Sequence, residues 1–388
     1  MSSIITDRIH AAAVPHVGPG GVPGLIALAL RGEDESLVAL GNLDVEPGRP
    51  ARRDSLFRIT STTKPITAAE TLALVGEGLI SLEEPVDRLL PELAGRRVLR
   101  RPDGPLEDTV PAVRAITTRD LLTFTFGFGM VLEMFTAPEP WPVVAAEQQL
   151  GLATLGPPDP SVPPDPDTWI SRLGSMPLLA QPGERWMYNT GAAVLGVLLS
   201  RAARAPLGEV LRTRLFDPLG MRDTGFWTDQ TGRLATAYRP SQDGLLSCDP
   251  PAGGWSRPPA FPDAAAGLVS TVDDLAAFAR MLVVGGRGPS GVPVLSPELV
   301  RAMTSDQLTP AQKDRGGLGH GFFDGRSWGF CQAVYDSGAY GWDGGFGTSW
   351  LVDPARELVV IVLTQRMFES PATPQLHRDI QAAAYAAI

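Results

Sequence analysis

The sequence has few of the residues on which many metal and catalytic sites depend. Its 388 residues include two cysteines and four histidines, namely Cys248, Cys331, His10, His16, His320 and His377. No histidine lies at ligand-type spacing from a cysteine or an acid, so the sequence predicts no zinc or other metal site. Such low cysteine content is typical of a reducing compartment, and we expect both thiols to be buried and free.

Long apolar runs and an excess of positive charge are also missing. No apolar stretch reaches the roughly 18–20 residues that span a bilayer, and the first segment, MSSIITDRIHAAAVPH, lacks the uninterrupted apolar run of a signal peptide. The formal charge is −10, from 33 basic and 43 acidic residues, which repels phosphate backbones and anionic membranes. We therefore expect a cytoplasmic protein that binds neither nucleic acid nor membrane, and the oligomeric state stays open.

Lysine is the scarcest charged residue. Of the 33 basic residues, two are lysines, Lys64 and Lys313, and the rest are arginines. A codon bias toward arginine accounts for this where only a positive charge is needed. A lysine kept against that background is a candidate for proton chemistry, because a desolvated lysine can lose its proton and an arginine effectively cannot.

Hydrophobic periodicity predicts strands near both ends of the chain and helices between them. The predicted strands are 24–30, 36–43, 347–352 and 358–364, and the predicted helices are 4–14, 61–79, 115–125, 142–151, 190–204, 273–284 and 371–388. This order predicts a discontinuous α/β lobe, 1–58 with 295–388, and an inserted, mainly helical lobe, 59–294. Two Pro/Gly-rich connections, 156–167 and 239–263, lack such periodicity, and aromatic residues at their borders favour pocket walls over disordered linkers.

The strongest chemical signal is Ser61-Thr62-Thr63-Lys64, an S-x-x-K motif at the start of the predicted helix 61–79. Side chains three residues apart on a helix lie on one face, so Lys64 can reach Ser61. A serine hydroxyl is a weak nucleophile until a base takes its proton. A neutral lysine can be that base, and a cationic lysine can lower the pKa of another. A surface or helix-capping serine is the alternative, since the short match also arises by chance.

Two further segments add candidate residues. In GERWMYNTG (183–191), Tyr188 stands where a loop enters a helix, and beside a cationic lysine we expect its pKa to fall toward a value useful for a general base. In GWDGGFG (341–347), the glycines permit close backbone approach, and paired N–H groups are the usual oxyanion hole for acyl transfer. A structural tyrosine and a tight hairpin turn are the alternatives. A Ser-His-Asp triad fits poorly, because no G-x-S-x-G segment is present.

Together, these three segments resemble the serine β-lactamases and penicillin-binding proteins, in which the same motifs follow in the same order. The detail is most similar to the branch that contains class C β-lactamases, D-aminopeptidases, DD-peptidases and family VIII carboxylesterases. The resemblance covers most of the chain, since other segments also match recurring family segments: FRITSTTKPIT (57–67), EGLISLEEPV (77–86), PGERW (182–186) and GLVSTVDDL (267–275).

The resemblance implies an α+β fold, in which an antiparallel sheet flanked by helices and a mostly helical lobe enclose the active site between them. It implies that Ser61 is acylated and that Lys64 and Tyr188 share the base and acid work. The backbone N–H groups of Ser61 and Gly345 would hold the oxyanion. The implied substrate is a small-molecule ester or acyl compound, and no cofactor is expected.

The sequence departs from the family pattern at three places. The family's Tyr-x-Asn reads YNT (188–190), and its His-Thr-Ser-Gly reads FTFG (124–127), which makes the wall near the site more apolar. Its Lys-Thr-Gly reads WDG (342–344), similar to the Trp-x-Gly of family VIII esterases, and this should weaken binding of anionic β-lactams and peptide C-termini. The residues expected to contact the substrate are Trp342, Asp343, Gly344, Asn189, Thr190 and Phe126.

Three functional hypotheses follow from these residues. The leading one is a carboxylesterase, with possible transacylase activity, acting on small or apolar esters, because an ester leaving group needs less acid assistance than an amine. The second is a D-amino-acid peptidase or a weak class C-type β-lactamase. The third is a catalytically silent binding domain, against which the intact Ser61, Lys64 and Tyr188 argue. The natural substrate and the acyl acceptor stay open.

Overall fold

Strands lie near both ends of the chain and helices mainly between them in the computed structural model, which describes residues 2–46, 48–289 and 291–388. The strands are β1 (Gly24–Arg31), β2 (Asp34–Gly41), β3 (Phe57–Arg58), β4 (Arg97–Leu99), β5 (Thr109–Pro111), β6 (Ala237–Ser241), β7 (Gly244–Asp249), β8 (Val269–Ser270), β9 (Arg326–Trp328), β10 (Ala333–Tyr335), β11 (Tyr340–Gly344), β12 (Thr348–Asp353) and β13 (Leu358–Thr364). The helices are α1 (Ser2–Ala13), α2 (Thr63–Gly76), α3 (Thr118–Leu122), α4 (Glu133–Thr136), α5 (Pro142–Gln149), α6 (Pro166–Ser175), α7 (Thr190–Ala203), α8 (Leu207–Leu211), α9 (Asp217–Leu219), α10 (Val272–Val283), α11 (Pro297–Met303), α12 (Pro310–Asp314) and α13 (Gln375–Tyr385).

One sheet joins the two ends of the chain. In the described residues it has seven strands in the order β2-β1-β13-β12-β11-β10-β9, and every neighbouring pair is antiparallel. Strand β13, near the C-terminus, pairs with β1 near the N-terminus, with Leu25 opposite Thr364. The antiparallel sheet flanked by helices, and with it the α+β fold, is confirmed.

Both faces of the central strands are covered, which explains their continuous apolar sequences. Successive side chains of a strand point to opposite faces. Leu25, Ala27 and Ala29 of β1 face a cluster that contains residues of α1 and α13. Ile26, Leu28 and Leu30 belong to the main core, which α10 and α2 share. The sheet is therefore fixed in register by apolar contacts on both sides.

Helix α2, which contains Lys64 of the S-x-x-K motif, lies inside the molecule. It packs against α7, α11 and β11, and every side chain from Thr63 to Leu72 is buried. Burial of a lysine and a glutamate within this stretch is costly unless each has a partner. Glu70 has Arg214 as its partner at 2.6 Å, and the environment of Lys64 forms the candidate site.

The predicted terminal strands and the main helices are confirmed, but the long connections are more ordered than expected. Strands β6 and β7 form a hairpin within 239–263, and Cys248 on β7 is exposed rather than buried. Trp169 stacks on Phe261 with their ring centroids 4.7 Å apart, and both rings are buried. These two aromatic side chains therefore join the two connections in the core. The pocket-wall interpretation holds for other residues of the connections, since Gly156, Pro157, Pro158 and Asp263 line a cavity that also contains Ser61.

The proposed lobe boundaries at 58/59 and 294/295 stay a prediction. Helix α10, which that division gives to the helical lobe, packs against β1, β12 and β13 of the sheet. In the described part of the chain, no helix is both long enough and apolar enough to cross a membrane.

Candidate active site

Ser61 lies in a single 3₁₀ turn, Thr60–Thr62, that leads directly into α2. Lys64 follows one turn later, and its Nζ atom lies 2.9 Å from Oγ of Ser61. The same Nζ donates a hydrogen bond of 2.9 Å to the backbone carbonyl of Ala265. The expected contact between the two ends of the S-x-x-K motif is thus present.

Lys64 is fully buried, and this burial lowers its pKa to about 7. The loss of water disfavours the charged ammonium, while the negative charge of Asp263 opposes the shift. A lysine with this pKa is neutral in part of the molecules at physiological pH. It can therefore accept a proton from the serine hydroxyl that it contacts.

Tyr188 is the third polar side chain of the site, beside Ser61 and Lys64. Its hydroxyl forms hydrogen bonds with the Ser61 side chain and with Trp342, whose Nε1–H donates at 2.7 Å. Burial raises the pKa of Tyr188 above its ordinary value, and these hydrogen bonds only oppose that shift. The expectation that a cationic lysine lowers the pKa of Tyr188 is therefore wrong, because Lys64 is itself desolvated. Tyr188 stays protonated and can donate.

Uncommon backbone conformations flank both Ser61 and Tyr188. Thr60, before the serine, has φ of 40°, and Asn189, after the tyrosine, has φ of 83°. Residues other than glycine rarely adopt positive φ, and such residues concentrate at functional sites. The backbone of Tyr188 also forms two hydrogen bonds with the backbone of Met130: the Tyr188 N–H donates at 2.8 Å and the Tyr188 carbonyl accepts at 2.9 Å. The local backbone conformation therefore sets the directions of the Ser61 and Tyr188 side chains.

The end of β11 approaches the 3₁₀ turn closely. A side chain at Gly344 would collide with the backbone oxygen of Ile59 and with the hydroxyl of Thr348, so this position requires glycine. Gly345 follows beside Ser61 on the cavity wall, and its carbonyl accepts a hydrogen bond of 2.8 Å from Phe368. In the described residues, no hydrogen bond uses the backbone N–H of Ser61 or Gly345. Both donors are therefore free for an oxyanion.

A cavity of about 480 Å³ opens over these groups. Its walls are mainly apolar: Met130, Leu132, Phe135, Pro157, Pro158, Leu318, Phe346, Met367, Phe368 and Pro371. Its charged lining consists of Asp263, Arg326, Asp343 and Glu369. Burial raises the pKa of Asp343 to about 6. The hydrogen bond that the Thr373 hydroxyl donates to this carboxyl group at 2.6 Å and the positive charge of Arg326 both oppose the shift. The cavity suits a largely apolar ligand with one polar end.

A second serine contact occurs elsewhere in the molecule. Oγ of Ser349 lies 2.9 Å from Nδ1 of His377. Both side chains are buried under the sheet, and burial lowers the pKa of His377 to about 3. Neither residue lines the cavity over Ser61, so this pair cannot replace Lys64 as its base. Among the described residues, no cluster of histidine, cysteine and acidic side chains is suited to a metal ion.

The order of motifs and the geometry agree with a family match over nearly the whole chain. A family model described as beta-lactamase matches residues 10–385. The chain belongs to the β-lactamase family. Protein Rv1367c of Mycobacterium tuberculosis H37Rv is 38% identical over 341 residues, which are 84% of this chain and 81% of that protein. Esterase EstB of Burkholderia gladioli is 32% identical over 378 residues, which are 90% of this chain and 88% of that protein.

A solved structure extends the comparison to the fold. The structure of EstCE1, a hydrolase with promiscuous acyltransferase activity, matches with a TM-score of 0.81 at 24% identity and covers 99% of each chain. The β-lactamase-family protein described here is thus related in sequence to an esterase and has the fold of EstCE1.

In this β-lactamase-family protein, the expected substrate contacts divide into two groups. Trp342, Asp343 and Asn189 line the cavity, although the Asn189 amide donates to the carbonyl of Thr154 at 2.9 Å. Phe126 and Thr190 do not line it: both are fully buried, and the Thr190 hydroxyl accepts a hydrogen bond from Thr154. The expectation that these two contact the substrate is not supported. Gly344 also lies outside the cavity lining, and its lack of a side chain permits the close approach of β11 to the 3₁₀ turn.

The sequence reasoning missed three features of the site. These are Asp263, the Ala265 carbonyl that binds Lys64, and the apolar wall at 130–135. The segment around Asp263 carried one usable signal, because PDAAA (262–266) directly precedes the recurring segment 267–275. The wall at 130–135 follows the FTFG segment and is irregular except for the short α4, so periodicity could not have identified it.

Proposed function

We propose that this protein is a serine carboxylesterase with transacylase capacity, which forms an acyl-enzyme on Ser61 from small or apolar esters. The observation that carries the proposal is the 2.9 Å contact between Ser61 Oγ and the fully buried amine of Lys64 at the base of an apolar cavity. A buried amine with a pKa near 7 is matched to general base work at neutral pH.

In the acylation step, Lys64 Nζ takes the Ser61 proton as Oγ attacks the ester carbonyl carbon. The carbonyl oxygen becomes an oxyanion and receives hydrogen bonds from the backbone N–H groups of Ser61 and Gly345. Preorganised donors of this kind contribute about 10²–10³-fold in rate. When the tetrahedral intermediate collapses, the carbon–oxygen bond to the alcohol breaks and the alkoxide takes a proton from the Tyr188 hydroxyl. The proton on Lys64 then restores Tyr188.

In the second step, an acceptor enters along the path by which the alcohol left. Water gives hydrolysis, and a second alcohol gives acyl transfer. Lys64 again accepts the proton as the acceptor attacks the acyl carbon, and the proton returns to Ser61 Oγ as the ester bond breaks. EstCE1, a hydrolase with promiscuous acyltransferase activity, supports both outcomes on this fold.

The cavity favours neutral esters over anionic β-lactams. The position at which the family carries a lysine for a substrate carboxylate is occupied by Trp342, whose Nε1–H is already donated to Tyr188. Asp343 beside it adds a carboxyl group to the wall. An anionic ligand would lose its water and meet a carboxylate instead of an ammonium, which is an unfavourable exchange.

The first test measures turnover of p-nitrophenyl acetate and butyrate by purified protein. We expect a burst of p-nitrophenol equivalent to the enzyme concentration, followed by turnover. A fluorophosphonate probe should label Ser61, and Ser61→Ala should lose both labelling and turnover. Hydrolysis of nitrocefin should be far slower than that of the esters.

Thr62→Ala is not a suitable control, because Thr62 Oγ1 contacts Thr348 in the core at 3.4 Å. Ser81→Ala is a better matched control, since it makes the same change at a serine outside the cavity lining. Ester turnover in Ser61→Ala equal to that of wild type would refute the proposal. Nitrocefin turnover as fast as ester turnover would support the β-lactamase alternative instead.

A further inference from the structure

Asp263 lies at the junction between the active-site cavity and the chain segment that binds Lys64. It lines the cavity together with Ser61 and Tyr188. Its backbone carbonyl accepts hydrogen bonds from Gly267 at 2.7 Å and Ala266 at 3.2 Å. The segment 263–267 therefore forms a tight turn that Asp263 closes.

The side chain of Asp263 also organises this turn. Its Oδ1 accepts a hydrogen bond of 2.8 Å from the backbone N–H of Ala265. The carbonyl of the same Ala265 accepts the hydrogen bond from Lys64 Nζ. One residue, Ala265, thus links the carboxyl group to the carbonyl that binds the lysine. This is the local side-chain-to-backbone pattern by which aspartate shapes turns.

Asp263 is also the acidic group whose charge acts on Lys64. The groups that face the Lys64 amine are the Ser61 hydroxyl, the Tyr188 ring at 4.6 Å, the Cys331 thiol and Asp263. Burial raises the pKa of Cys331 above its ordinary range, so that the thiol stays neutral. Tyr188 also stays neutral for the same reason. Burial also raises the pKa of the Asp263 carboxyl group, and the N–H groups of Ala265 and Ala266 together with the charge of Lys64 oppose that shift. Asp263 is therefore the carboxyl group whose charge is coupled to the charge of Lys64.

We propose that Asp263 is a positioning residue that holds Lys64 through the Ala265 carbonyl and sets, by its charge, the pH at which Lys64 accepts the Ser61 proton. This inference rests on the roles proposed above for Ser61 and Lys64. The carboxylate stabilises the ammonium form of Lys64, so it moves the titration of the lysine upward from the value that burial alone would give.

The two-lysine composition allows a direct measurement. Protein labelled with ¹³C at Cε of lysine should give two side-chain signals, from Lys64 and Lys313, and Lys64→Arg identifies the first by its loss. In wild type, we expect the Lys64 signal to titrate near pH 7. Asp263→Asn keeps an oxygen for the Ala265 N–H and removes the charge, so it should lower the midpoint by about one pH unit or more.

Kinetics supply the second readout. Lys64 must be neutral to act as a base, so kcat/KM for p-nitrophenyl butyrate should rise with pH through the Lys64 midpoint. In Asp263→Asn this rise should move to lower pH by the same amount as the NMR midpoint. Asp263→Ala also removes the hydrogen bond to Ala265 and should in addition lower the plateau rate.

The chain offers two controls for the charge effect. Glu369 lines the same cavity, but its side chain is exposed and forms an ion pair with Arg366 at 2.9 Å. Glu369→Gln removes this carboxylate and should leave the Lys64 midpoint unchanged. The Lys313 signal reports a surface ion pair with Asp306 and should not move in any variant. If Asp263→Asn fails to fold, Asp263→Ser replaces it, because a serine hydroxyl can accept the same local hydrogen bond.

An unchanged Lys64 midpoint in Asp263→Asn or Asp263→Ser would overturn the inference. A lower rate at every pH with no movement of the profile would also overturn it, because that result is expected of a purely structural residue. The NMR titration does not depend on turnover. A protein without esterase activity whose Lys64 midpoint still falls in Asp263→Asn would refute the proposed function and leave the coupling between Asp263 and Lys64 established.

Discussion

At the residue scale, the hydrogen bond from Trp342 to Tyr188 determines what the tyrosine can do. The indole Nε1–H can only donate, so the Tyr188 oxygen accepts at 2.7 Å and its own proton points elsewhere. The Ser61 side chain is the other hydrogen-bond partner of this hydroxyl. Trp342 therefore acts on the reaction through the orientation of the Tyr188 proton and forms part of the cavity wall as well.

The residue-scale prediction is a double-mutant cycle on this pair. Tyr188→Phe removes the proton donor and should lower kcat by about 10²–10⁴-fold. Trp342→Phe keeps an aromatic ring but removes one neutral hydrogen bond, worth about 0.5–1.5 kcal/mol, so it should lower kcat by roughly two- to twelvefold. In the Tyr188→Phe background, Trp342→Phe should cost little more. Additive losses in the double variant, measured with p-nitrophenyl butyrate, would contradict this arrangement.

Residue-level prediction from sequence succeeded where a motif fixed local geometry. Ser61 and Lys64 are one helical turn apart, so their contact follows from helix periodicity. The protonation of Tyr188 could not be predicted, because it depends on how deeply the fold buries the phenol. Asp263 was missed for a related reason: it acts on a lysine distant in sequence, and only the fold brings them together.

At the element scale, the approach of β11 to the 3₁₀ turn before α2 brings Gly345 and Ser61 to the wall of the same cavity. The Thr348 hydroxyl donates to the Ile59 carbonyl at 3.0 Å, and the Phe346 N–H donates to the Thr60 hydroxyl at 3.4 Å. These bonds join the sheet to the turn that carries Ser61. Gly344 permits the contact because it has no side chain.

Two neighbouring glycines give the element-scale prediction. Gly344→Ala forces a methyl group against the Ile59 oxygen, and overpacking of this kind costs about 1–3 kcal/mol. It should lower the free energy of unfolding and, by moving Gly345 away from Ser61, lower kcat. Gly345→Ala is the matched control, because a side chain there meets open space, and its unfolding free energy should equal that of wild type. Chemical denaturation measures both, and equal loss in the two variants would contradict the argument.

Elements with one clear periodicity were predictable, and the hairpin in the middle of the chain was not. Strands β1 and β13 carry apolar residues at nearly every position, which marks them as central strands. The β6–β7 hairpin has mixed polarity and exposed residues, so its burial pattern is weak. Its Asp243-Gly244 pair was the available signal, since Asp-Gly between extended segments favours a hairpin turn.

At the scale of the whole molecule, the distribution of charge favours uncharged substrates. The formal charge of the chain is −10, and three of the four charged side chains in the cavity lining are carboxylates. At pH 8, above the pKa of about 6 for Asp343, that residue is ionised. A cleft whose charged lining is mainly of one sign focuses the field of the protein, so we expect an anionic ester to be repelled both at a distance and within the cavity.

The prediction at this scale compares two esters of equal size, 4-acetoxybenzoate and 4-acetoxybenzamide, at pH 8. At low ionic strength, kcat/KM for the anionic benzoate should be lower by about tenfold or more, because the negative field opposes its approach. Salt should narrow this gap, since the screening length falls to about 10 Å at 0.1 M, while the rate for the neutral amide stays constant. Equal kcat/KM values at low salt would mean that Arg326, the cation among the described residues of the cavity lining, outweighs the three carboxyl groups there.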